Sequence, residues 1–296
     1  MTTIDRLIPD IYERLRKQDG WFNEDISRSF GEAVSHRLRS QLGTPEGGRR
    51  PTLRLSRMGV QCPKALWHSI HTPELEEKLP AAAIFKYSYG HIIEGLAVSL
   101  AKAAGHEVTG EQDELNLDGI IGHRDCVIDG CTVDVKSAAS KSFDKFKVGS
   151  FVDTFGYLDQ LDSYILAAAN DPLVYHKRIG YLFLVDKQLG AMKLYRHEVT
   201  HEREEILRKR IDYYKRVVAQ AEPPPCECRT IPQGASGNLQ LDLKASYSSF
   251  KYTCFPHLRK FLYAGGPVFL TKVVKRPFNA DGPIKEVDKH GHLVYH

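Results

Sequence analysis

Residues 119–138 have the sequence Gly-Ile-Ile-Gly-His-Arg-Asp-Cys-Val-Ile-Asp-Gly-Cys-Thr-Val-Asp-Val-Lys-Ser-Ala. The Asp129-Gly130 pair suits a tight hairpin turn, and apolar residues on both sides have strand character, so the stretch predicts two antiparallel strands. Asp125 is expected near the middle of the first strand. Asp134 and Lys136 lie two residues apart and share one face of the second. Folding at the turn therefore brings two carboxylates and one ammonium to one side of a small sheet.

Two interpretations of these charges follow from the residues alone. Two carboxylates and the carbonyl of Val135 would make an oxygen-rich site for a hard cation such as Mg²⁺ or Mn²⁺, with Lys136 beside the metal-bound water. The alternative is a solvated hairpin face with a cross-strand Asp-Lys pair, worth less than about 1 kcal/mol. The triplet Asp-x-Lys alone does not decide between them.

Composition limits the class of protein. A chain of 296 residues with 42% hydrophobic and 26% charged residues is long enough for one large α/β domain or two small ones. No apolar stretch reaches transmembrane length and the N-terminus lacks a signal-peptide core, so we expect a cytoplasmic protein without membrane contact. The net charge of +4 is compatible with a polyanionic partner. In a reducing compartment the six cysteines are expected to be free thiols or metal ligands.

Hydrophobic periodicity predicts an order of elements along the chain. His91 and Glu94 share a face of the longest predicted helix, and Gln160 and Tyr164 share a face of a later one. We expect an N-terminal helical extension (1–50), a core (51–222) and a C-terminal segment that packs back on the core (223–296). Helices are predicted at 4–17, 24–42, 61–67, 81–104, 152–169 and 200–221, with a short one from Cys254 to Tyr263 in an otherwise irregular C-terminal segment. Strands are predicted at 51–55, 106–110, 113–118, 178–185 and 189–196, besides the two hairpin strands.

The order helix, three strands, helix, strand resembles the αβββαβ core of the PD-(D/E)XK nucleases. Gly122-x-x-Asp125 and Asp134-x-Lys136 resemble the second- and third-strand motifs, and Gln160-x-x-x-Tyr164 resembles the motif of the RecB-like branch. The resemblance covers about residues 54–264. In detail it is greatest to the exonucleases of tailed phages and the CRISPR-associated RecB-like nucleases, on the segments 59–67 and 255–263. It implies a restriction-endonuclease-like α/β fold with a central mixed sheet flanked by helices.

The resemblance also implies roles for the site residues. Asp125, Asp134 and Glu94, with the Val135 carbonyl, would hold the metal, and Lys136 would orient the attacking water or accept its proton. His91 would contact the scissile phosphate or a metal-bound water, and the alternative is a packed helical histidine. Gln160 and Tyr164 would touch the nucleic-acid strand, and the alternative is a polar stripe on a half-buried helix.

The activity implied is that of a metal-dependent DNA exonuclease that leaves 5′-phosphates, in phage DNA degradation, replication or recombination. A phage-encoded enzyme of this kind would act in the cytoplasm of a bacterial host. Its implied partners are DNA, further copies of the chain, and a phage single-strand-binding or recombination protein. The alternatives are a structure-specific endonuclease and a catalytically inactive DNA-end-binding module. The intact set Asp125, Asp134 and Lys136 argues against the inactive module.

The cysteines depart from the pattern of the resembling family. Many RecB-like relatives hold a [4Fe-4S] cluster with one cysteine before the core and three after it. Cys62 and Cys254 match the first and the last, but Ala245 and Ser248 stand at the two intermediate positions and cannot ligate iron as thiolates do. Cys226 and Cys228 would substitute if the fold brings them back. A cluster, a zinc site and ordinary packing all remain open from the sequence.

Overall fold

The computed structural model describes residues 3–43, 51–59, 62–146, 151–280 and 282–294. The chain divides into two compact units. Unit 1 comprises Met1–Arg49, Leu53–Gly59 and Leu79–Ile211, and unit 2 comprises Arg50–Thr52, Val60–Lys78 and Asp212–His296. This division differs from the three segments expected from the sequence, because the first two helices belong to unit 1 and residues 60–78 belong to unit 2.

The described residues contain these elements. The helices are α1 (Leu7–Lys17), α2 (Glu24–Leu42), α3 (Pro63–His71), α4 (Ala81–Ala103), α5 (Ser140–Phe143), α6 (Tyr157–Ala167), α7 (His201–Val218), α8 (Leu243–Ser246) and α9 (Lys251–Cys254), with 3-10 turns at Ile4–Arg6, Leu55–Arg57 and Pro73–Leu75. The strands are β1 (Val108–Thr109), β2 (Glu114–Leu117), β3 (Ile120–His123), β4 (Cys126–Ile128), β5 (Cys131–Ala138), β6 (Ile179–Asp186), β7 (Met192–Glu198), β8 (Thr230–Pro232), β9 (Leu239–Leu241), β10 (Arg259–Tyr263), β11 (Gly266–Lys272), β12 (Phe278–Asn279), β13 (Gly282–Pro283) and β14 (Glu286–Val287).

The long predicted helices are present, with ends set by local capping. Asn23 accepts a hydrogen bond from the Ile26 backbone N–H and starts α2. Helix α6 begins at Tyr157 and not at residue 152, because the Asp153 carboxylate accepts from the N–H groups of Gly156, Tyr157 and Leu158. Gly156 has φ of +76°, a left-handed conformation that breaks the helix on its N-terminal side.

The central sheet of unit 1 has the strand order β1-β4-β5-β6-β7. Strands β5 and β6 are parallel, whereas the β1–β4, β4–β5 and β6–β7 pairs are antiparallel. Helix α4, strands β1, β4 and β5, helix α6 and strand β6 follow one another in the predicted order, with the β2–β3 hairpin inserted before β4. Unit 1 is thus a mixed α/β fold with a central mixed sheet flanked by helices, as predicted.

The two faces of β5 meet different surroundings. Val133 and Val135 lie in one buried core with Leu7 and Ile11 of α1 and Ala101 of α4. Alternate residues of the strand face the other way, as the period of two requires. The opposite face of the sheet is covered by α6, which contacts both β5 and β6. The helix that the sequence assigned to an N-terminal extension therefore contributes to the core of unit 1.

Two short elements predicted from the sequence, a strand and a helix, are absent from the residues that the structure describes. Residues 51–55 do not form a strand, since Arg54 makes only an isolated bridge to Ile121 before a 3-10 turn begins at Leu55. The helix expected from Cys254 to Tyr263 is also wrong. Helix α9 ends at Cys254, and Phe255 leaves the helical region, with φ of −130° and ψ of 86°, because it precedes Pro256.

Unit 2 contains a second five-stranded sheet that the sequence did not predict. Its order is β14-β10-β11-β9-β8 and every neighbouring pair is antiparallel. Phe261, Leu270 and Ile284 form part of its buried core. The segment that follows Pro223, Pro224 and Pro225 is therefore organised around a sheet and is not irregular. Among the helices of the described ranges, none is long and apolar enough to cross a membrane.

Candidate active site

The hairpin places Asp125 level with Asp134. Cys126 pairs with Val133 and Ile128 with Cys131, and both turn residues have positive φ, at 47° for Asp129 and 73° for Gly130. One residue beyond this register Asp125 lies opposite Asp134, and its Oδ2 accepts a 2.8 Å hydrogen bond from the backbone N–H of Val135. The predicted juxtaposition is therefore present.

Asp125 does not lie in the middle of a strand, as the sequence had suggested. It lies at a bend between β3 and β4. The preceding residue, Arg124, is 1% exposed and its guanidinium contacts the carboxylates of Asp113 at 2.6 Å and Asp171 at 2.5 Å. It also donates to the carbonyl of Gly110. We infer that these buried contacts fix the bend that turns Asp125 toward the site.

Asp134 and Lys136 form a close ion pair on the face of β5 that the alternation predicts. Asp134 is 1% exposed and its Oδ2 lies 2.5 Å from Nζ of Lys136. Burial raises the pKa of Asp134. Burial alone would lower the pKa of Lys136, but the Asp134 and Asp125 carboxylates outweigh it and raise that pKa. Without a bound cation, Lys136 is therefore held as an ammonium that pairs with Asp134.

Glu94 and His91 approach the hairpin from α4. Glu94 Oε1 accepts a 3.1 Å hydrogen bond from Gln112, and its Oε2 lies 3.7 Å from Nδ1 of His91. Burial opposes ionisation of Glu94, but His91 and Arg37 lower its pKa below the ordinary value. His91 is partly exposed and points toward Glu94, as a residue of the site and not of the apolar core.

Arg37 is a site residue that sequence reasoning missed. It comes from α2, and its guanidinium donates to Glu94 Oε1 and lies 3.5 Å from Asp125 Oδ1. The same side chains line a cavity of about 290 Å³ that also includes His91 and Gln112. No local signal marks this arginine, since it is one of several charged residues on an amphipathic helix.

The donor set fits a hard divalent cation in its chemistry. Burial, followed by the charges of Glu94 and Asp134, raises the pKa of Asp125 to about 8. When Asp125, Asp134 and Glu94 are all ionised, their negative charge exceeds the positive charge of Arg37 and Lys136. The three carboxylates do not converge as tightly as a filled site requires. Among the described residues, the potential metal ligands whose atoms all lie within 4.8 Å of one another are four cysteines, and the three carboxylates do not meet this distance. The guanidinium of Arg37 contacts both Glu94 and Asp125.

Gln160 and Tyr164 lie together on α6. The Gln160 amide donates a 3.0 Å hydrogen bond to the Tyr164 hydroxyl. Tyr164 is 3% exposed, and burial, with the charge of Asp134 next, raises its pKa to about 12. A Cβ at Gly122 would lie 3.0 Å from its ring and 2.7 Å from the Leu55 Cβ. Gly122 therefore provides the space in which Tyr164 reaches the site, and contact of this pair with nucleic acid stays a prediction.

The four cysteines come together in unit 2. The Sγ atoms of Cys62, Cys226, Cys228 and Cys254 all lie within 4.8 Å of one another. Cys62 Sγ is 3.8 Å from Cys226 Sγ and 3.9 Å from Cys254 Sγ, and the backbone N–H of Cys228 donates to the Cys226 sulfur at 3.4 Å. Hydrogen bonds from Cys228 and Cys254 lower the pKa of Cys62. The predicted substitution of Cys226 and Cys228 into the group is thus geometrically present.

Cys126 and Cys131 lie in the buried core of unit 1. Burial raises the pKa of both thiols, that of Cys131 to about 12. They are packing residues and take no part in the four-cysteine group.

Comparison with known proteins gives structural likeness alone. No family model and no curated protein matches the chain. The structure is similar to that of SSO0001, with 13% identity, a TM-score of 0.40 and coverage of 79% of this chain and 97% of that chain. It is also similar to LHK-Exo in complex with dAMP, with 11% identity, a TM-score of 0.39 and coverage of 64% and 92%. A second structure of this alkaline exonuclease, from Laribacter hongkongensis, gives 12% identity, a TM-score of 0.36 and coverage of 58% and 89%.

Proposed function

We propose that the protein is a metal-dependent nuclease that hydrolyses phosphodiester bonds in DNA. The observation that carries the proposal is the hairpin register, which sets Asp125 level with Asp134 and leaves Lys136 beside them. Glu94 adds a third carboxylate from α4. Such a density of buried charge is costly unless a ligand uses it, and the raised pKa values of Asp125 and Asp134 report that cost.

The charge of the substrate explains why a cation belongs here. A phosphodiester resists attack because it and the nucleophile are both anionic. A bound Mg²⁺ or Mn²⁺ would neutralise charge that develops on the phosphate and lower the pKa of bound water. Asp125, Asp134, Glu94 and the Val135 carbonyl would hold it, and these are the oxygen ligands that such ions prefer. Lys136, as an ammonium, would orient the water or a phosphate oxygen.

The finer proposal is an exonuclease that leaves 5′-phosphates in phage DNA degradation, replication or recombination. It would act in a bacterial cytoplasm. Its partners would be further copies of this chain, in a homo-oligomer, or a phage single-strand-binding or recombination protein. It rests on the motif resemblance of Asp134-x-Lys136 and Gln160-x-x-x-Tyr164. A structure-specific endonuclease is the second candidate within the same chemistry. A catalytically inactive end-binding module is disfavoured by the intact Asp134–Lys136 pair.

The decisive experiment uses two DNA substrates of equal sequence, one linear with a labelled end and one covalently closed. We expect release of labelled nucleotides from the linear DNA with Mg²⁺ or Mn²⁺, none with EDTA, and an intact closed circle. Cleavage of the circle would instead favour the endonuclease. Asp134→Asn is expected to remove activity, whereas Asp212→Asn, an exposed aspartate of α7, should keep it. Equal cleavage by the Asp134→Asn protein and wild type would refute the proposed site.

We also propose that the four cysteines hold one zinc ion. With metal–sulfur bonds of about 2.3 Å, tetrahedral thiolates lie about 3.8 Å apart, which matches the separations of 3.8 and 3.9 Å from Cys62. A [4Fe-4S] cluster requires a wider set of thiolates, because each one binds a different iron atom. Metal analysis of protein purified under anaerobic conditions tests this. One zinc per chain supports the zinc proposal. Iron with sulfide and a visible absorbance band would instead show a Cys-ligated iron–sulfur cluster.

A further inference from the structure

Helix α2 carries a cation into the candidate metal site. Arg37 donates to the Glu94 carboxylate and lies 3.5 Å from Asp125 Oδ1, so one guanidinium contacts two of the three acidic groups. Its side chain is 27% exposed, which leaves a route for water to the ion pair. The other cation of the site, Lys136, pairs with Asp134. Each carboxylate of the site therefore has a positive partner supplied by the chain itself.

Helix α2 packs against α4 at the surface of unit 1. None of the 19 residues of α2 is buried. Phe30 and Val34 lie over Gly95 of α4, where an added Cβ would come within 3.3 and 3.1 Å of them. Gln41 donates to the carbonyl of Ile84 at 3.2 Å. The contact of Arg37 with Glu94 and Asp125 is therefore one of the polar contacts that hold α2, beside two further side-chain hydrogen bonds that α4 donates to α2.

The charges of the site favour an exchange of cations. Three carboxylates and the ammonium of Lys136 sum to −2 when all are ionised, and Arg37 brings that sum to −1. A divalent cation in place of Arg37 brings it to zero, whereas a divalent cation added to Arg37 leaves a net positive charge. Two cations that need the same oxygen atoms of Glu94 and Asp125 also repel each other at short range. Binding of metal and contact of Arg37 with the carboxylates therefore oppose one another.

We infer that Arg37 is a positioning residue that holds the carboxylates of Glu94 and Asp125 in the metal-free protein, and that a divalent cation binds by displacing its guanidinium and loosening α2 from α4. This inference rests on the proposed metal site. It extends that proposal by making metal affinity and the order of α2 two readouts of one equilibrium, as linkage requires.

The test is Mn²⁺ binding by isothermal titration calorimetry to the full chain. Arg37→Gln is expected to bind Mn²⁺ on the order of tenfold more tightly, since a competing, partly buried ion pair is gone. Arg37→Lys keeps the charge and is expected to stay close to wild type. Arg28→Gln is the matched control, because Arg28 lies on the same helix and pairs with Glu24 at an exposed position. It should leave Mn²⁺ affinity unchanged.

Hydrogen exchange of residues 24–42 gives a readout that does not depend on binding heat. In wild type we expect Mn²⁺ to speed exchange across α2, and in Arg37→Gln we expect exchange to be fast with or without Mn²⁺. Slower exchange of α2 on Mn²⁺ binding, or equal affinities for Arg37→Gln and wild type, would overturn the inference. Should Arg37→Gln fail to fold, the wild-type exchange experiment decides the matter. Failure of the metal site itself would look different, because wild type and Asp134→Asn would then bind Mn²⁺ equally poorly.

Discussion

The acidic site of unit 1 and the cysteine site of unit 2 gather their side chains in different ways. Asp125 and Asp134 come from one hairpin, and the chain supplies Arg37 and Lys136 as cations beside them. The cysteines come from distant segments, with Cys62 and Cys254 192 residues apart, yet their sulfur atoms lie within 4.8 Å of one another. The first arrangement suits a cation that comes and goes with substrate, and the second suits one ion that stays bound with the fold.

The largest effect on this comparison is expected from Cys254→Ala. Loss of one thiolate should prevent binding of the proposed zinc ion and lower the free energy of unfolding by about 5 kcal/mol, since structural zinc contributes directly to folding. Zinc content and urea unfolding measure the two consequences. Cys131→Ala is the matched control, because Cys131 is buried in the core of unit 1 and should cost only about 1 to 2 kcal/mol with zinc retained. Full zinc content in Cys254→Ala would contradict the proposed site.

Lys136→Met tests whether the acidic site depends on its own cations. We expect DNA hydrolysis to fall about a hundredfold to a thousandfold, the usual loss for one charged donor in a reaction site. Removal of the ammonium also leaves buried Asp134 without its partner at 2.5 Å, so the carboxyl should bind a proton more readily. Lys209→Met, at an exposed pair with Glu205, should keep wild-type rates. Steady-state cleavage with Mg²⁺ distinguishes the two variants, and equal rates would exclude a role for Lys136.

Asp125→Asn should reveal how much the acidic site lowers the free energy of unfolding in the absence of metal. Burial and the neighbouring carboxylates raise the pKa of Asp125 from 3.8 to about 8, so between these values the folded protein keeps a proton that the unfolded chain releases. The free energy of unfolding therefore falls as pH rises through this range. In EDTA the variant should be more stable than wild type by roughly 2 to 3 kcal/mol at pH 8 and little different at pH 4. Urea unfolding across pH measures this, and parallel curves for the two proteins would contradict it.

The smallest effect is expected from Gly122→Ala. An added Cβ would lie 2.7 Å from the Leu55 Cβ and 3.0 Å from the Tyr164 ring, so we expect a loss of about 2 kcal/mol from overpacking. Gly31→Ala is the control, because a Cβ there meets nothing within 4 Å on α2 and should stabilise the helix by about 0.5 to 1 kcal/mol. Thermal unfolding compares them. Equal stability of Gly122→Ala and wild type would show that Tyr164 has room to move.

Much of unit 1 was predictable because its signals are local. The Asp129-Gly130 turn and the alternation along β5 place Asp134 and Lys136 on one face, and the structure confirms both. The position of Asp125 at a bend was not predictable. It depends on the contacts of buried Arg124 with Asp113 and Asp171, two residues that carry no pattern of their own.

Other features could not be predicted because they depend on tertiary contact alone. Arg37 lies 57 residues from Glu94, and an arginine on a helix surface is ordinarily a solvated charge. Three strands of the unit 2 sheet, β8, β9 and β14, have only two or three residues and are too short for a period of two to emerge. Cys226 and Cys228 were candidates from their residue type, but only the fold brings them to Cys62 and Cys254.

The register of the β4–β5 hairpin limits how this chain can change in length. Ile128 faces Cys131 across a two-residue turn, and Cys126 faces Val133 further along the same hairpin. Insertion of one residue at the tip would shift every pair by one and exchange the outward and inward positions of β5. Asp134 would then point into the apolar core that includes α1, and a valine would take its place opposite Asp125. The Asp129-Gly130 tip, although it is a turn, is thus a poor position for an insertion or a grafted peptide.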